Sequence, residues 1–134
     1  MIKQRSSRKI EEALALHRQR LKVQLWKERS EGLKGPRCPD CKRTICRPDD
    51  AVMHEVFIKR GNLPIKMQIR IMDKHNCALA HHWPCHHRWG NTGAFKSRCA
   101  AQLFKLYGRE AIVAWVESLG LKQQVEIPES EVEP

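Results

Sequence analysis

The chain has no long apolar run. In its 134 residues, no apolar stretch approaches the ~20 residues that a membrane-spanning helix needs. The basic N-terminus also lacks the apolar segment of a secretory signal peptide, so we expect a cytoplasmic protein with no membrane partner. Because thiols stay reduced in that compartment, we interpret the six cysteines as metal ligands or buried thiols, in preference to three disulfides.

Acidic residues are scarce relative to basic ones, and so are Tyr and Phe. The 15 Asp and Glu stand against 25 Lys and Arg, and the net charge of +10 favours a nucleic-acid partner. With one Tyr and three Phe, no aromatic platform for RNA bases is evident, so double-stranded DNA is favoured over RNA. Trp89 is interpreted as a core or rim residue in preference to one that stacks on nucleic acid.

The first 35 residues predict a basic arm at 1–9 and an amphipathic helix from Arg8 to about Arg29. Residues 1–30 carry nine Lys/Arg against three Glu. An apolar stripe at helical spacing predicts one packed face, and the opposite face is basic. That face is either a solvated surface or one that lies along a nucleic-acid backbone. The apolar stripe consists of Ile10, Leu14, His17, Leu21 and Leu25.

The rest of the chain predicts an α+β domain with short strands and C-terminal helices. Residues 65–72 alternate apolar and polar, which favours a half-buried strand, although a helix is a real alternative because good helix formers fill the polar positions. Residues 121–134 predict a disordered acidic tail. The further expected elements are strands at 52–59 and 78–80, a helical turn from Pro84 through Trp89, and helices at 96–107 and 109–119.

Cysteine and histidine residues at two-residue spacing predict a structural zinc site. Cys38-x-x-Cys41 supplies two thiolates from one turn, and His82-x-x-Cys85 supplies a matching imidazole and thiolate. The four residues together form a Cys₃His set that stabilises the fold. The pattern leaves open whether His81 or Cys77 replaces His82, and Cys46 is also close in sequence. Cys99 is interpreted as a small packing residue.

More candidate ligands are present than one tetrahedral site uses. His54 and Glu55 form a polar pair inside an apolar strand, and Asn76 and His86 follow further along the chain. Hydrolysis of a phosphodiester requires a divalent ion, a base that activates water and a group that orients the base. The surplus therefore predicts a second, catalytic metal site.

These motifs resemble the HNH endonuclease family, which is built on the ββα-metal (His-Me finger) fold. His54-Glu55-Val56-Phe57 resembles the first-strand motif, Asn76 the middle residue, and His82-Trp83-Pro84-Cys85-His86 the Cys-Pro-x-Cys-His segment, with Cys38 and Cys41 as the upstream pair. Residues 100–110 resemble the end of a phage-encoded subgroup. Two departures exist. Glu55 stands where the family has its general-base histidine if His54 is the metal ligand. The interval between Asn76 and His86 is one residue longer than usual, so His75 or His87 is an alternative.

The resemblance implies a zinc-stabilised HNH core at 36–95, C-terminal helices at 96–120 and metal-dependent cleavage of DNA, with little sequence specificity. His54 and His86 would bind Mg²⁺, or Mn²⁺ or Ni²⁺ in its place; His54 or Glu55 would activate water and Asn76 would orient the base. The protein would be a monomer or weak dimer that nicks DNA. The alternative is a non-catalytic zinc-bound DNA-binding module. The residues expected to bind phosphates are Arg18, Lys22, Lys27, Arg88, Lys96 and Arg98.

Overall fold

A computed structural model describes residues 2–30, 32, 34–61, 63–90, 92–121, 125 and 127, without the side chains of residues 2–7. The described elements are mixed helices and one two-stranded antiparallel sheet, which confirms the α+β class. None of the described helices has the length and apolar character that a bilayer-spanning segment requires.

The N-terminal helix α1 runs from Ile2 to Ser30, so the helix begins well inside the segment that was predicted as an arm. Its predicted apolar stripe does face the core, with Leu14 and Leu25 buried. His17 Nε2 lies 3.0 Å from the carbonyl oxygen of Met72. At the other end of the stripe Ile10 is exposed. Tertiary packing of this stripe is what holds so long a helix against the domain.

The sheet consists of β1 (Ala51–Glu55) and β2 (Cys77–His81), paired with His54 opposite Ala78. The prediction of β2 is confirmed, but β1 stops short of the predicted residue 59. It stops because the main chain of residues 57 and 58 turns toward the side chain of Asn76, which takes both of their N–H groups.

The predicted strand at 65–72 is wrong, because this segment forms helix α2 (Ile65–Ile71). Pro64 stands at its N-terminal boundary, and the Pro64 carbonyl accepts the main-chain N–H groups of Met67 and Gln68. The polar residues that alternate with apolar ones here are good helix formers, so the alternation does not mark the two faces of a strand. Ile71 is fully buried, and it packs with Ile58 and Leu119 in a small second core.

Helices α3 (His87–Trp89), α4 (Gly93–Tyr107) and α5 (Arg109–Ser118) follow the sheet. Residues 82–86 form an irregular helical turn in which Trp83 has extended backbone angles. Thr92 caps α4 by accepting the Phe95 N–H at 3.2 Å. Because α4 begins at Gly93 and packs on β2, the predicted boundary between 95 and 96 falls inside one helix.

Most of the predicted tail lies outside the described residues. Of its members, Leu121, Val125 and Ile127 are described, and all three are partly buried against the two cores. The prediction of a disordered tail otherwise concerns residues outside the described ones.

Candidate metal centre and histidine pair

The first half of the metal centre is a tight loop at residues 38–43. The Cys38 N–H donates to the Arg43 carbonyl and the Lys42 N–H donates to the Cys38 carbonyl, both at 2.9 Å. Lys42 adopts a φ of 65°, which is uncommon for a residue other than glycine and reverses the chain directly after Cys41. This reversal places the thiols of Cys38 and Cys41 on one side of the loop.

Cys38, Cys41, His81 and Cys85 form a cluster whose ligand atoms all lie within 4.8 Å of one another. Three sulfurs and one imidazole nitrogen are a donor set that zinc takes in structural sites. Cys41 Sγ lies 3.2 Å from the ring atom Nδ1 of His81. The main-chain N–H of His81 donates to Cys38 Sγ at 3.4 Å. Cys38 and Cys85 are buried while Cys41 is exposed. The residues therefore fit a structural zinc ion.

The histidine of this cluster is His81, where the preferred prediction was His82. His81 is the last residue of β2, so its side chain follows the strand pleat toward the Cys38–Cys41 loop. His82 begins the turn that follows, and its ring stacks instead on His86, with centroids 6.4 Å apart. The alternative that the sequence left open is thus the one that the geometry supports.

The other cysteines lie apart from the cluster. Cys46 is exposed, and its thiol points to the Thr44 carbonyl at 3.7 Å. Cys77 and Cys99 are fully buried. Burial raises the pKa of each of these two thiols to about 12, so both remain protonated packing groups. The interpretation of Cys99 as a packing residue is confirmed.

Burial, and then the neighbouring Cys38, raises the pKa of the Cys85 thiol. Thiolates crowded into a protein interior repel one another, and a bound cation removes that repulsion. The cluster is therefore better suited to hold a cation than to remain empty and charged.

Helix α4 is fastened to the metal centre by polar contacts. Arg98 Nη1 donates to Asp40 Oδ1 at 2.6 Å, inside the Cys38–Cys41 loop. Gln102 donates to the Arg37 carbonyl at 3.3 Å and accepts the Leu79 N–H at 3.2 Å. Arg98 was predicted to bind phosphate, but its guanidinium is occupied by this ion pair.

His54 and His86 form a second group, which we call the histidine pair. Their ring centroids lie 5.6 Å apart, and the Phe95 ring packs edge-on against both, at 5.2 Å from His54 and 6.0 Å from His86. His54 is only 7% exposed, and among the described residues its Nε2 atom has no hydrogen-bond partner. A buried polar atom left without a hydrogen-bond partner is costly.

Burial lowers the pKa of both rings of the histidine pair. For His54 the pKa falls to about 4, because burial is followed by electrostatic repulsion from the neighbouring His86, Lys59 and Lys96. Burial, and then His82 and His87, also lower the pKa of His86. Neutral imidazole is the form that binds a metal ion or accepts a proton.

Gly90 packs directly on His86. A Cβ atom at residue 90 would lie 2.5 Å from the His86 carbonyl oxygen and 3.1 Å from the ring atom Cδ2. Real Cβ atoms do not approach main-chain oxygen so closely, so any side chain here would displace His86. The absence of a side chain at residue 90 therefore sets the position of the His86 ring.

Asn76 is fully buried, and its side chain binds main-chain groups of the loop after β1 and of the end of α2. Its Oδ1 accepts the N–H groups of Phe57 and Ile58 at 2.9 and 3.0 Å. Its Nδ2 donates to the carbonyls of Ile58 and Ile71 at 2.7 and 3.1 Å. The side chain thus holds the loop after β1, and was predicted instead to orient the base.

Glu55 lies on the face of β1 opposite to His54, because consecutive strand residues point to opposite faces. Its carboxylate accepts the Arg60 main-chain N–H at 2.8 Å and pairs with Arg60 Nε at 2.9 Å. These contacts close the same loop that Asn76 anchors. Glu55, which was predicted as a candidate base, therefore lies apart from the histidine pair.

Three of the predicted phosphate-binding residues are exposed, namely Lys27, Lys96 and Arg88. Arg18 and Lys22 are half-buried and line adjoining cavities of about 330 and 250 Å³ beside β1 and α2, with Lys22 in the smaller one. The Arg18 Nε atom is buried and has no hydrogen-bond partner among the described residues.

Sequence reasoning missed Phe95 and Gly90, which fix the histidine pair, and the stacking of His82 on His86. The four-residue interval between His82 and His86 was a usable signal, because such residues meet on a helical turn. His75, an alternative to Asn76, lies elsewhere: its Nδ1 is 2.8 Å from Asp73 and its ring stacks on Trp115. His87, an alternative to His86, packs on Trp83.

In comparisons with known proteins, no family model, no curated protein and no solved structure matches this chain.

Proposed function

We propose that the protein is a metal-dependent DNA endonuclease of HNH type, with a ββα-metal core held by a structural zinc. The observation that carries the proposal is the histidine pair, in which two buried or half-buried imidazoles face each other beside an independent Cys₃His cluster. A structural site does not need the second group, and the unpartnered Nε2 of His54 is suited to an ion or a water molecule.

The chain order supports this assignment. The antiparallel strands β1 and β2 are followed by the helical turn that carries His86, and the zinc cluster joins the loop before β1 to that turn. A divalent ion at the histidine pair would polarise the scissile phosphate and stabilise the departing oxygen. His54 and His86 hold their positions through Phe95, β1 and Gly90.

These contacts suggest a role for each residue. His86 is a metal ligand, and His54 is either the second ligand or the base that takes a proton from water. Glu55 and Asn76 become positioning residues that fix the loop after β1, because their polar atoms contact that loop. His82 supplies a further imidazole beside His86. Since imidazole suits Ni²⁺ better than Mg²⁺, we expect higher activity with Ni²⁺ than with Mg²⁺.

The basic surface supports DNA as the substrate. Lys59 and Lys96 act electrostatically on His54, so positive charge surrounds the point where a phosphate would sit. Lys27 and Arg88 are also exposed and available to bind phosphates. Contacts of this kind bind the DNA backbone without reading its sequence, so cleavage would have low specificity.

Cleavage of supercoiled plasmid by the zinc-loaded protein tests the proposal, with Mg²⁺, Mn²⁺, Ni²⁺ or EDTA added. The expected result is metal-dependent conversion to open circles. His86→Ala abolishes conversion while zinc content and DNA binding stay nearly unchanged, and the matched variant His75→Ala, whose ring stacks on Trp115, cuts normally. Cys38→Ala, in contrast, loses the fold.

Two outcomes would contradict the proposal. Plasmid that shifts on a gel but is never cut with any ion supports a non-catalytic zinc-bound DNA-binding module. Normal cleavage by His86→Ala would show that the catalytic ion is held elsewhere.

A further inference from the structure

Two tryptophans beside His86 are exposed to solvent. Trp83 is 58% exposed and Trp89 is 50% exposed. Trp89 follows His86 by three residues, and residues three apart on a helical turn are surface neighbours. Trp83 lies in the preceding irregular turn, residues 82–86, and has extended backbone angles. Isolated apolar residues on a surface are common, but two exposed indoles within three residues of a candidate ligand are typical of a recognition surface.

The surroundings of these indoles are positively charged. The Arg88 guanidinium lies over the Trp83 ring at 5.4 Å, and the His87 ring contacts Trp83 at 4.6 Å. Within residues 83–96 the charged side chains are Arg88 and Lys96, and both are exposed. An occupant of this surface must therefore combine a flat apolar group with negative charge.

We propose that Trp83 and Trp89 stack on unpaired bases of single-stranded DNA next to the phosphate at the histidine pair. This inference deepens the proposed function, on which it rests, by naming the form of the substrate. Bases in a duplex are already stacked on one another, so only an unpaired base offers its face to an indole. The phosphates of the same strand meet the positive charge of Arg88 and Lys96. The substrate is then DNA that is single-stranded or frayed at the cleavage point.

Binding measurements on the full zinc-loaded chain test this, with no other divalent ion added so that nothing is cut. The probes are a fluorescent oligothymidine, an abasic strand with the same number of phosphates, and a duplex of the same length. Trp83→Ala and Trp89→Ala are each expected to weaken oligothymidine binding by about tenfold, because each removes one stacked base. Binding of the abasic strand should not change.

Two further variants serve as controls. Leu106→Ala removes another exposed apolar side chain, which is 44% exposed, and should leave all three affinities unchanged. Trp83→Phe retains a ring and should restore most of the oligothymidine affinity. The slope of affinity against salt should be the same in wild type and tryptophan variants, because stacking releases no counterions.

Two outcomes would overturn the inference. Equal losses on oligothymidine and the abasic strand would mean that the indoles support the fold or the charge distribution only. Unchanged binding of every probe would mean that they contact something other than nucleic acid. Since the assay needs no cleavage, stacking without nuclease activity rejects the proposed function alone, and nuclease activity without stacking rejects this inference alone.

Discussion

His81 and His82 are neighbours in the sequence but have different surroundings in the structure. His81 contributes its Nδ1 to the Cys₃His cluster, 3.2 Å from Cys41 Sγ, whereas His82 stacks on His86. Their separation at the end of β2 follows from the strand pleat, which sends consecutive side chains to opposite sides.

Single substitutions should separate the two histidines. His81→Ala is expected to weaken zinc binding by more than about 100-fold, because loss of a ligand costs more than loss of a supporting contact. His82→Ala should retain zinc as the wild type does. Competition with a chromogenic chelator measures both affinities, and zinc loss in His82→Ala with retention in His81→Ala would reverse the assignment.

His54 should make stability depend on pH. Its pKa is lowered from 6.5 to about 4 in the folded chain, so the unfolded chain takes up the proton first as the pH falls. Stability that is fully present above pH 6.5 is therefore lost progressively as the pH falls toward 4, amounting to about 2 kcal/mol between pH 7 and pH 5.

Urea unfolding of wild type and His54→Asn at these two pH values measures this effect. Asn does not titrate, so the variant lacks this contribution and the effect of pH on zinc binding is common to both proteins. The difference in their free energies of unfolding should change by about 2 kcal/mol between pH 7 and pH 5. An unchanged difference would show that His54 is not held neutral by burial.

For individual residues, the sequence predicted which side chains are candidate metal ligands better than it predicted the roles of the other polar residues. The two-residue spacing was sufficient to predict Cys38 and Cys41 as ligands, because one turn can present both thiols. For the second half the same spacing identified Cys85 but selected His82, where the cluster contains His81. The roles of Glu55 and Asn76 were not predictable in this way. They depend on which main-chain groups the loop after β1 leaves unpaired, and that is a property of the folded chain.

The position of His86 depends on the irregular turn at 82–86 and on α3, which leads to Gly90. A Cβ at Gly90 would meet both the carbonyl and the ring of His86, whereas a Cβ at Gly93 would meet no atom within 4 Å. Gly90→Ala should therefore lower the cleavage rate by about 100-fold, since a displacement near 1 Å is sufficient for such a loss.

Gly93→Ala is the matched control for this turn. It should leave activity unchanged and slightly stabilise the first turn of α4, because Ala is the better helix former. Cleavage rate and zinc content of the two variants are compared directly. Equal activity of Gly90→Ala and wild type would show that the turn does not determine the position of His86.

The loop between β1 and α2 depends on Asn76. Asn76→Ala leaves two N–H groups and two carbonyls with one partner fewer, and each unsatisfied buried group costs about 1–3 kcal/mol. We expect a loss of about 3 kcal/mol in the free energy of unfolding. Gln24→Ala, which breaks an exposed contact with Glu28, should cost less than about 0.5 kcal/mol in the same urea titration. Similar small losses in both would contradict an anchoring role.

The long helices were easier to predict than the short helix α2. The apolar stripe of α1 and the glycine after α4 are local signals, and both correspond to observed features. The segment 65–71 matched a strand pattern just as well, and only its packing of Ile71 against Ile58 and Leu119 decides for a helix. Alternation over seven residues cannot distinguish a short amphipathic helix from a strand when the polar positions are good helix formers.

For the whole molecule, the Cys₃His cluster and the histidine pair are separate groups of side chains, to which we propose different tasks. The Cys₃His cluster joins the loop before β1, the end of β2 and the turn after it, and Arg98 fastens α4 to the same loop through Asp40. That scaffold holds the histidine pair between the sheet and α4. We propose that the histidine pair binds a metal ion independently of the Cys₃His cluster.

The most direct test is a calorimetric titration of Ni²⁺ into zinc-loaded protein, with released zinc followed by a chromogenic dye. We predict that the wild type and His75→Ala bind one additional equivalent without releasing zinc, and that the double variant His54→Ala/His86→Ala does not bind it. Equal Ni²⁺ binding by the double variant, or binding only in exchange for zinc, would contradict a second metal site at the histidine pair.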